Sequence, residues 1–201
     1  MIAVITGDII NSRNVPTERW QTPLKQFLSK TTAKKTNWTI YRGDSFQLEV
    51  NIEKAVEIAL CIKALIKTNS QINVRMAIGI GEAGYKGKKV SESFGQAYIN
   101  SGESFESLKQ DTLSLKSPFE EFDEYLNGML KLIAFIADNW KPATAEIIYY
   151  TLTHRNLLQK EVAQKLKRDS TTVNKALKRG AYPEILEIVN LYAKKIQQCT
   201  N

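Results

Sequence analysis

Residues 38–50 constrain the fold most, because they contain two strand-like segments joined by a tight turn. Residues 38–41 are β-branched or aromatic, and apolar and polar side chains alternate along residues 45–50, as in a strand with one buried face. Gly43 and Asp44 between the two segments are typical of a hairpin turn. Taken alone, Asp44 is explained by turn formation. Two other strand-like segments give it a second interpretation.

These further segments lie on either side of the hairpin. Residues 2–7 form a short strand with Asp8 just beyond it, and residues 72–81 alternate before ending in glycines. Helical patterns separate the strands at 17–30 and 52–68. The order β-α-β-β-α-β predicts an α/β (α+β) fold of the ferredoxin-like type, with helices on one face of a sheet in which the first and third strands pair at the centre.

This pairing predicts that Asp8 and Asp44 come together at one edge of the sheet. Two carboxylates at one point repel each other unless a cation lies between them. Mg²⁺ is commonly held by one or two carboxylates together with substrate phosphates. We therefore expect a site for Mg²⁺, or Mn²⁺, at these two residues.

Four short motifs, in this order, resemble the catalytic domain of class III nucleotide cyclases, which is related to diguanylate cyclase and polymerase palm domains. They are Ile5-Thr6-Gly7-Asp8-Ile9-Ile10, Arg42-Gly43-Asp44-Ser45-Phe46, residues 74–81 and Gly95-Gln96-Ala97-Tyr98-Ile99-Asn100. The resemblance implies that Asp8 and Asp44 bind a metal with the backbone carbonyl of Ile9, and that Asn100 contacts a nucleotide. The chain is more closely similar to the SatD family, which joins such a domain to a C-terminal helix-turn-helix.

Two departures from the cyclase pattern argue against cyclase activity. Cyclases have a purine-selecting lysine and a transition-state arginine at the positions that are Ile40 and Ser104 here. Losing a guanidinium that meets developing phosphoryl charge commonly costs several powers of ten in rate. Nucleotide binding is therefore the expected role, with further phosphate contacts from Arg42, Gly43, Arg75, Lys86, Lys88 and Lys89. For residues 86–89, a solvated basic loop is the alternative interpretation.

Residues 119–140 predict one long amphipathic helix, after a helix at 94–110 and a short strand at 113–116. Its apolar residues recur at spacings of three and four, and its acidic residues cluster at the start. Helices of this kind join a sensor to an effector domain, pack against their own copy in a dimer, or pack within the chain. The sequence leaves these alternatives open.

Residues 141–201 resemble the helix-turn-helix of sigma-factor-like and multiple-antibiotic-resistance-like regulators. Helices are predicted at 158–166 and 170–179, with Ser170 as the cap of the second. Lys167 stands where such turns usually have glycine, and a left-handed conformation there would cost about 1 kcal/mol. The resemblance implies that the second helix enters the DNA major groove. The candidate DNA-binding residues are Gln159, Lys160, Ser170, Thr171, Thr172, Asn174, Lys175, Lys178 and Arg179. A helical hairpin that only packs is the alternative.

Charge and composition agree with a polyanionic partner. The chain has a net charge of +7, and residues 141–201 contain 11 basic and 5 acidic residues. No apolar run approaches the roughly 20 residues of a spanning helix, so we expect no membrane partner and a cytoplasmic location. His154, Cys61 and Cys199 form no zinc-binding pattern.

Together these patterns predict a cyclase-like domain at 1–118, a linker helix at 119–140 and a DNA-binding domain at 141–201. The functional hypothesis is a transcription regulator whose cyclase-like domain senses a nucleotide or phosphate ligand with a divalent metal. The alternative is an active nucleotide cyclase or nucleotidyltransferase with an accessory helix-turn-helix. Because one helix-turn-helix makes a small contact, we expect a homodimer that places two copies in successive major grooves.

Overall fold

The computed structural model describes residues 1–32, 34–85, 87–88 and 90–200, and these form one five-stranded sheet surrounded by helices. The strand order is β2-β3-β1-β4-β5. β1 is antiparallel to both β3 and β4, and β5 is parallel to β4. The strands are β1 (Ile2–Ile10), β2 (Trp38–Tyr41), β3 (Ser45–Val50), β4 (Asn73–Gly81) and β5 (Leu113–Lys116). The mixed α/β class and the pairing of the first and third strands are confirmed.

Helices alternate with the strands up to β5, and every element from residue 120 onward in the described chain is a helix. The helices are α1 (Thr17–Thr31), α2 (Ala55–Lys67), α3 (Gln96–Ser107), α4 (Glu120–Asp138), α5 (Pro142–Thr153), α6 (Gln159–Lys165), α7 (Ser170–Arg179) and α8 (Tyr182–Thr200). The order β1-α1-β2-β3-α2-β4 agrees with the predicted one. Within the described part of the chain, no helix combines the length and apolar character that crossing a membrane requires.

β1 is longer than the sequence indicated, and this changes the position of Asp8. The strand continues to Ile10 because β4 pairs with it along its whole length, so Asp8 lies within it, opposite Ser45 of β3 and Arg75 of β4. Gly7 makes the close pairing possible: a Cβ there would lie 2.6 Å from the Phe46 ring and 2.8 Å from the side chain of Met76.

Helices cover both faces of the sheet, which corrects the one-face prediction. Ala3 and Ile5 belong to the large apolar cluster that includes α1 and α2, whereas Val4 packs with Ala97 and other residues on the α3 side. α3 approaches closely because β4 has glycine at position 79, where a Cβ would lie 2.2 Å from the Ala97 carbonyl oxygen. The alternation of side chains along β1 therefore supplies two apolar layers.

α2 lies at the centre of the molecule. All of its residues are buried, between the sheet on one side and α5 on the other. One apolar cluster continues from Ile5 in β1, through α2, to Ile148 in α5 and Tyr192 in α8. The sheet and the C-terminal helices thus share a core.

α4 packs within the chain along one face only. Leu126, Leu130 and Ile133 are buried there, against β5, α2 and α8. Intrachain packing, one of the three alternatives for this helix, is therefore observed. The opposite face is exposed to solvent, with Leu132 at 67% and Phe135 at 72% exposure.

Candidate functional site

The structure joins Asp8 to a cation from the neighbouring strand. Arg75 donates from Nε and Nη2 to Asp8 Oδ1 and Oδ2, each at 2.8 Å. This is a bidentate, charge-assisted pair, and the hydrogen bonds to Asp8 raise the pKa of Arg75. The Arg75 guanidinium also lies 4.9 Å from the centre of the Phe105 ring, a distance typical of a cation–π contact.

Asp44 lies beside this pair, at the end of the hairpin loop. Arg42 and Gly43 have φ of 52° and 90°, so the loop turns through two left-handed residues. Ser12 Oγ donates to Asp44 Oδ2 at 2.8 Å, and the Ile9 N–H donates to the Asp44 carbonyl oxygen at 3.2 Å. The predicted residues Asp8, Ile9, Arg42, Gly43, Asp44 and Arg75 therefore gather at this end of the sheet.

Tyr41 also belongs to this cluster, although sequence interpretation did not include it. Burial raises the pKa of the Tyr41 hydroxyl; the positive charge of Arg42 opposes this rise, and the negative charge of Asp8 adds to it. The signal in the sequence was its place next to the turn. A phenol here offers a hydrogen-bond donor at the site.

As arranged, these side chains do not fit a resident divalent metal. Both oxygens of Asp8 accept from Arg75, so a cation binding there would have to displace the guanidinium or lie beside its positive charge. Among the described residues, no group of three or more His, Cys, Asp or Glu side chains is placed to hold a metal ion. Arg75 already supplies Asp8 with the positive charge that a metal ion would otherwise provide.

Asn100 lies far from the aspartates. Its side chain is buried; Nδ2 donates to the Ile80 carbonyl at 2.8 Å, and Oδ1 accepts from Gln96 at 2.9 Å. Ile80 pairs with Ala3, which lies five residues before Asp8, or about 17 Å along the strand. Within one chain, Asn100 is therefore at the other end of the sheet, and its polar atoms are engaged in the core.

The two positions that depart from the cyclase pattern are also engaged in the fold. Ile40 is half-buried in β2 opposite Phe46. Ser104 is buried, and its hydroxyl shares a hydrogen bond of 2.7 Å with the hydroxyl of Ser114. Neither position presents a cation at the site.

Of the three candidate lysines after β4, the structure describes Lys88. Lys88 is exposed and follows the end of β4 that pairs with the start of β1, at the opposite end of the sheet from Asp8. Lys86 and Lys89 lie outside the described residues. Among the predicted phosphate contacts that the structure describes, Arg42 and Arg75 are the cations at the Asp8 end of the sheet.

In the C-terminal half, α6 and α7 are joined by a tight turn at 166–169. Lys167 has φ of 53°, the left-handed conformation that the comparison with glycine-containing turns indicated. Val162, Val173 and Leu177 are buried between the helices, as predicted, and Leu166 is half-buried. The connection is compact because the Arg168 N–H reaches the Ala163 carbonyl at 2.9 Å.

The cap of α7 is Asp169 and not Ser170. The Asp169 carboxylate accepts from the Thr171 N–H at 2.7 Å and from the Thr172 N–H at 3.3 Å. These hydrogen bonds, led by the one from Thr171, lower the pKa of Asp169. A carboxylate is favoured over a hydroxyl at this end because the helix dipole is positive there. Ser170 is therefore free to face outwards, where it is exposed.

All nine candidate DNA-binding residues are exposed. Seven of them line one shallow groove between α6 and α7: Gln159, Lys160, Ser170, Thr171, Asn174, Lys175 and Lys178. No Asp or Glu is among the residues that line this groove. Thr172 and Arg179 are exposed on α7 outside the groove.

The sequence did not predict the buried ion pair between Lys63 and Asp138. Lys63 in α2 is fully buried, and its Nζ lies 2.6 Å from Asp138 Oδ1 at the end of α4. Nζ also donates to the Val74 carbonyl at 2.9 Å and to the Thr112 hydroxyl at 3.0 Å. Burial lowers the pKa of Lys63 to about 8, against the opposing effect of Asp138. The available signal was a lysine between two apolar runs of α2, residues 58–62 and 64–66.

Comparison with known proteins gives one match. The family model described as SatD family matches residues 1–189 of the 201 residues. No curated protein and no solved structure matches the chain.

Proposed function

The chain belongs to the SatD family, and we propose that it is a DNA-binding transcription regulator whose sheet domain senses a nucleotide or another phosphate ligand. The observation that carries the DNA-binding half is the groove between α6 and α7. It combines three lysines with hydroxyl and amide donors and contains no carboxylate. Such a surface suits phosphate contacts and readout of base edges.

The alternative for these helices is a hairpin that only packs. α7 already buries Val173, Ala176 and Leu177 on its inner face, so packing accounts for that face alone. The outer face of α7 carries several positive charges. A helix that served only for packing would have no need of one sign of charge on its exposed face. Moreover, the left-handed Lys167 keeps the short turn of the helix-turn-helix despite a cost of about 1 kcal/mol. Both features favour the DNA-binding interpretation.

The ligand half of the proposal rests on Arg75 and Arg42. A phosphate group can accept two hydrogen bonds from a guanidinium, as a carboxylate does. We therefore propose that a phosphate ligand competes with Asp8 for Arg75 and also contacts Arg42. The half-exposed position of the Arg75 side chain, 38% accessible, leaves room for this exchange.

Active cyclisation has less support. Ile40 and Ser104 replace two cations, Asp8 is paired with Arg75, and Asn100 donates into the core. The expected Mg²⁺ or Mn²⁺ ion stays a prediction, with Arg75 as the obstacle. A homodimer, by contrast, suits a regulator that reads two half-sites.

DNA binding is tested with a duplex selected from a random library by the full-length protein, using fluorescence anisotropy at several salt concentrations. Asn174→Ala and Lys175→Ala should lose about 1–3 kcal/mol of discrimination between the selected and a scrambled duplex. Lys178→Ala should weaken both duplexes alike and reduce the salt slope by about 1.

The matched control is Lys194→Ala, which removes an equal charge from an exposed position on α8. It should leave both affinities within about twofold of the unmodified protein. Equal losses for Lys194→Ala and Lys178→Ala, or the same loss for every variant on both duplexes, would contradict the assignment of the groove.

A further inference from the structure

The outer face of α4 has an apolar stripe that no other part of the described chain covers. Tyr125, Leu132 and Phe135 are exposed by 77%, 67% and 72%. With Gly128 they follow spacings of three, four and three residues, the repeat that keeps side chains on one line of a helix facing a second helix. Exposed apolar stripes of this kind mark interaction surfaces.

Gly128 is the second indication. A glycine inside a helix costs about 1 kcal/mol relative to alanine. In the part of the chain that the structure describes, a Cβ at Gly128 would meet no atom within 4 Å apart from its chain neighbours and the backbone of its own helix. Packing within the chain therefore gives no reason for glycine at this position. A second helix passing close to the backbone would give one.

We propose that this stripe joins two copies of the chain, with α4 antiparallel to the α4 of the partner subunit. A two-fold axis near residue 130 then places Tyr125 against the partner's Phe135 and Gly128 against the partner's Leu132. Each contact occurs twice, because a two-fold interface uses the same surface on both copies. A large side chain thus meets a glycine, and an aromatic ring meets another ring.

Charge selects the antiparallel arrangement. Glu120, Glu121 and Glu124 lie at the start of α4, whereas Lys141 and Arg179 adjoin Phe135 in a shallow pocket at its end. Antiparallel helices bring each acidic end near a basic end. Parallel helices would place the acidic ends together and leave a gap where the two copies of Gly128 meet.

The dimer would supply the second copy that the proposed regulator needs, although the observations that support it all lie on and around α4. Trp140 Nε1, just beyond α4, donates to the Gly180 carbonyl at the end of α7 at 3.1 Å. The α4 contact would therefore hold the two copies of α7 at a fixed separation. Dimerisation is measured without DNA, so failure of the dimer and failure of DNA binding can be told apart.

The test is sedimentation velocity of the full-length protein at tens of micromolar, where a dimer is expected. Gly128→Leu should raise the dimer dissociation constant about tenfold or more, since about 1.4 kcal/mol of lost contact has that effect. The same change should leave the melting temperature of the dilute monomer unchanged or raise it, because leucine favours helix.

Gly102→Leu is the matched control. Gly102 also lies inside a helix, α3, and a Cβ added there would likewise meet no described atom within 4 Å apart from its chain neighbours and its own helix backbone. It should leave dimerisation unchanged. Leu132→Glu should weaken the dimer like Gly128→Leu, and Glu121→Lys should weaken it in a way that Lys141→Glu in the same chain reverses.

Two results would overturn the proposal. One is a protein that stays monomeric throughout this concentration range. The other is a dimer whose dissociation constant is the same in Gly128→Leu, Leu132→Glu and the unmodified protein, which would place the contact on another surface.

Discussion

Arg75 lies directly opposite Asp8 on the neighbouring strand, and its guanidinium binds both oxygens of the Asp8 carboxylate at 2.8 Å. Two aspartates at the same end of a sheet call for a positive charge. Here the chain itself supplies that charge, from β4. The negative charge of Asp8 is thereby balanced. Asp44 is stabilised separately, because Ser12 Oγ donates to Asp44 Oδ2 at 2.8 Å.

Removing Arg75 should uncover the metal site that the sequence predicts. Arg75→Gln frees both oxygens of Asp8 and removes a positive charge a few ångströms away, so Mn²⁺ affinity should rise about tenfold or more. Isothermal titration calorimetry and the Mn²⁺ electron paramagnetic resonance signal measure this. Arg42→Gln is the control, because it removes equal charge from the exposed loop without releasing Asp8. Unmodified protein that binds Mn²⁺ as tightly as Arg75→Gln would show that Arg75 is no obstacle.

Cyclic nucleotide production should be absent or very low. With Ile40 and Ser104 at the positions of two cyclase cations, no guanidinium or ammonium from those positions meets the developing phosphoryl charge. Purified protein with ATP or GTP and Mg²⁺ or Mn²⁺ is assayed by chromatography of the products. Turnover that Asp44→Ala abolishes would support the cyclase hypothesis instead.

The sequence predicted the elements of this site better than their connections. Asp8 and Asp44 lie at the same end of the sheet because β1 and β3 pair, and that pairing followed from the order of the elements. Arg75 was expected to contact phosphate, but its pairing with Asp8 depends on the register of β1 and β4, which local patterns do not encode. Asn100 belongs to a matching motif, yet α3 begins at the opposite end of the sheet and buries its amide.

In the C-terminal helices, too, the elements were predicted better than the contacts at their ends. The bounds of α7 and its buried residues followed from periodicity and agree with the structure. The cap was misassigned by one residue, since Asp169 and Ser170 are both good caps and only the geometry of the turn distinguishes them. Burial of α2 on all sides could not be predicted, because α5 comes from residues 142–153, far along the chain.

Lys63 should make stability depend on pH. Burial lowers its pKa to about 8 in the folded protein, below its ordinary value of 10.5 in the unfolded chain. Between these values the unfolded state binds more protons, so the free energy of unfolding contributed by Lys63 rises with pH. Relative to Lys63→Met, the unmodified protein should gain up to about 2 kcal/mol between pH 8 and pH 9.5.

Urea unfolding at several pH values measures this difference. Cys61 and Tyr192, whose pKa values burial raises, reduce stability at high pH in both proteins and cancel in the comparison. A difference that stays constant, or falls as pH rises, would contradict the expected titration of Lys63.

Lys167 should tolerate glycine, unlike its helical neighbours. Its φ of 53° is strained for lysine, so Lys167→Gly should raise the free energy of unfolding by up to about 1 kcal/mol. Gln164→Gly, at an exposed position inside α6, should lower it by about 1 kcal/mol, since glycine weakens a helix. Thermal unfolding measures both. A loss of stability in Lys167→Gly equal to that in Gln164→Gly would show that the turn carries no strain.

The shared core around α2 predicts that the whole protein unfolds in one step. α2 is buried along its whole length, and α5 covers the face of α2 that is turned away from the sheet. Polar contacts cross the same boundary: Arg155 donates to Glu57 of α2 at 3.0 Å, and the Tyr192 hydroxyl donates to the Ile52 carbonyl. Calorimetry of the full-length protein should therefore show a single transition with equal calorimetric and van't Hoff enthalpies.

Residues 1–118 produced alone provide the complementary measurement. Without α5 and α8 this fragment exposes the outer face of α2 and leaves Glu57 without Arg155, so it should be unfolded or aggregated by circular dichroism and sedimentation. If the whole chain unfolds as one unit, a ligand that binds the folded sheet at Arg75 must also stabilise the C-terminal helices. It should therefore raise the melting temperature of the whole protein. Two separate transitions, or a fragment 1–118 that folds cooperatively, would instead make the sheet an independent domain and require a different route from ligand to DNA.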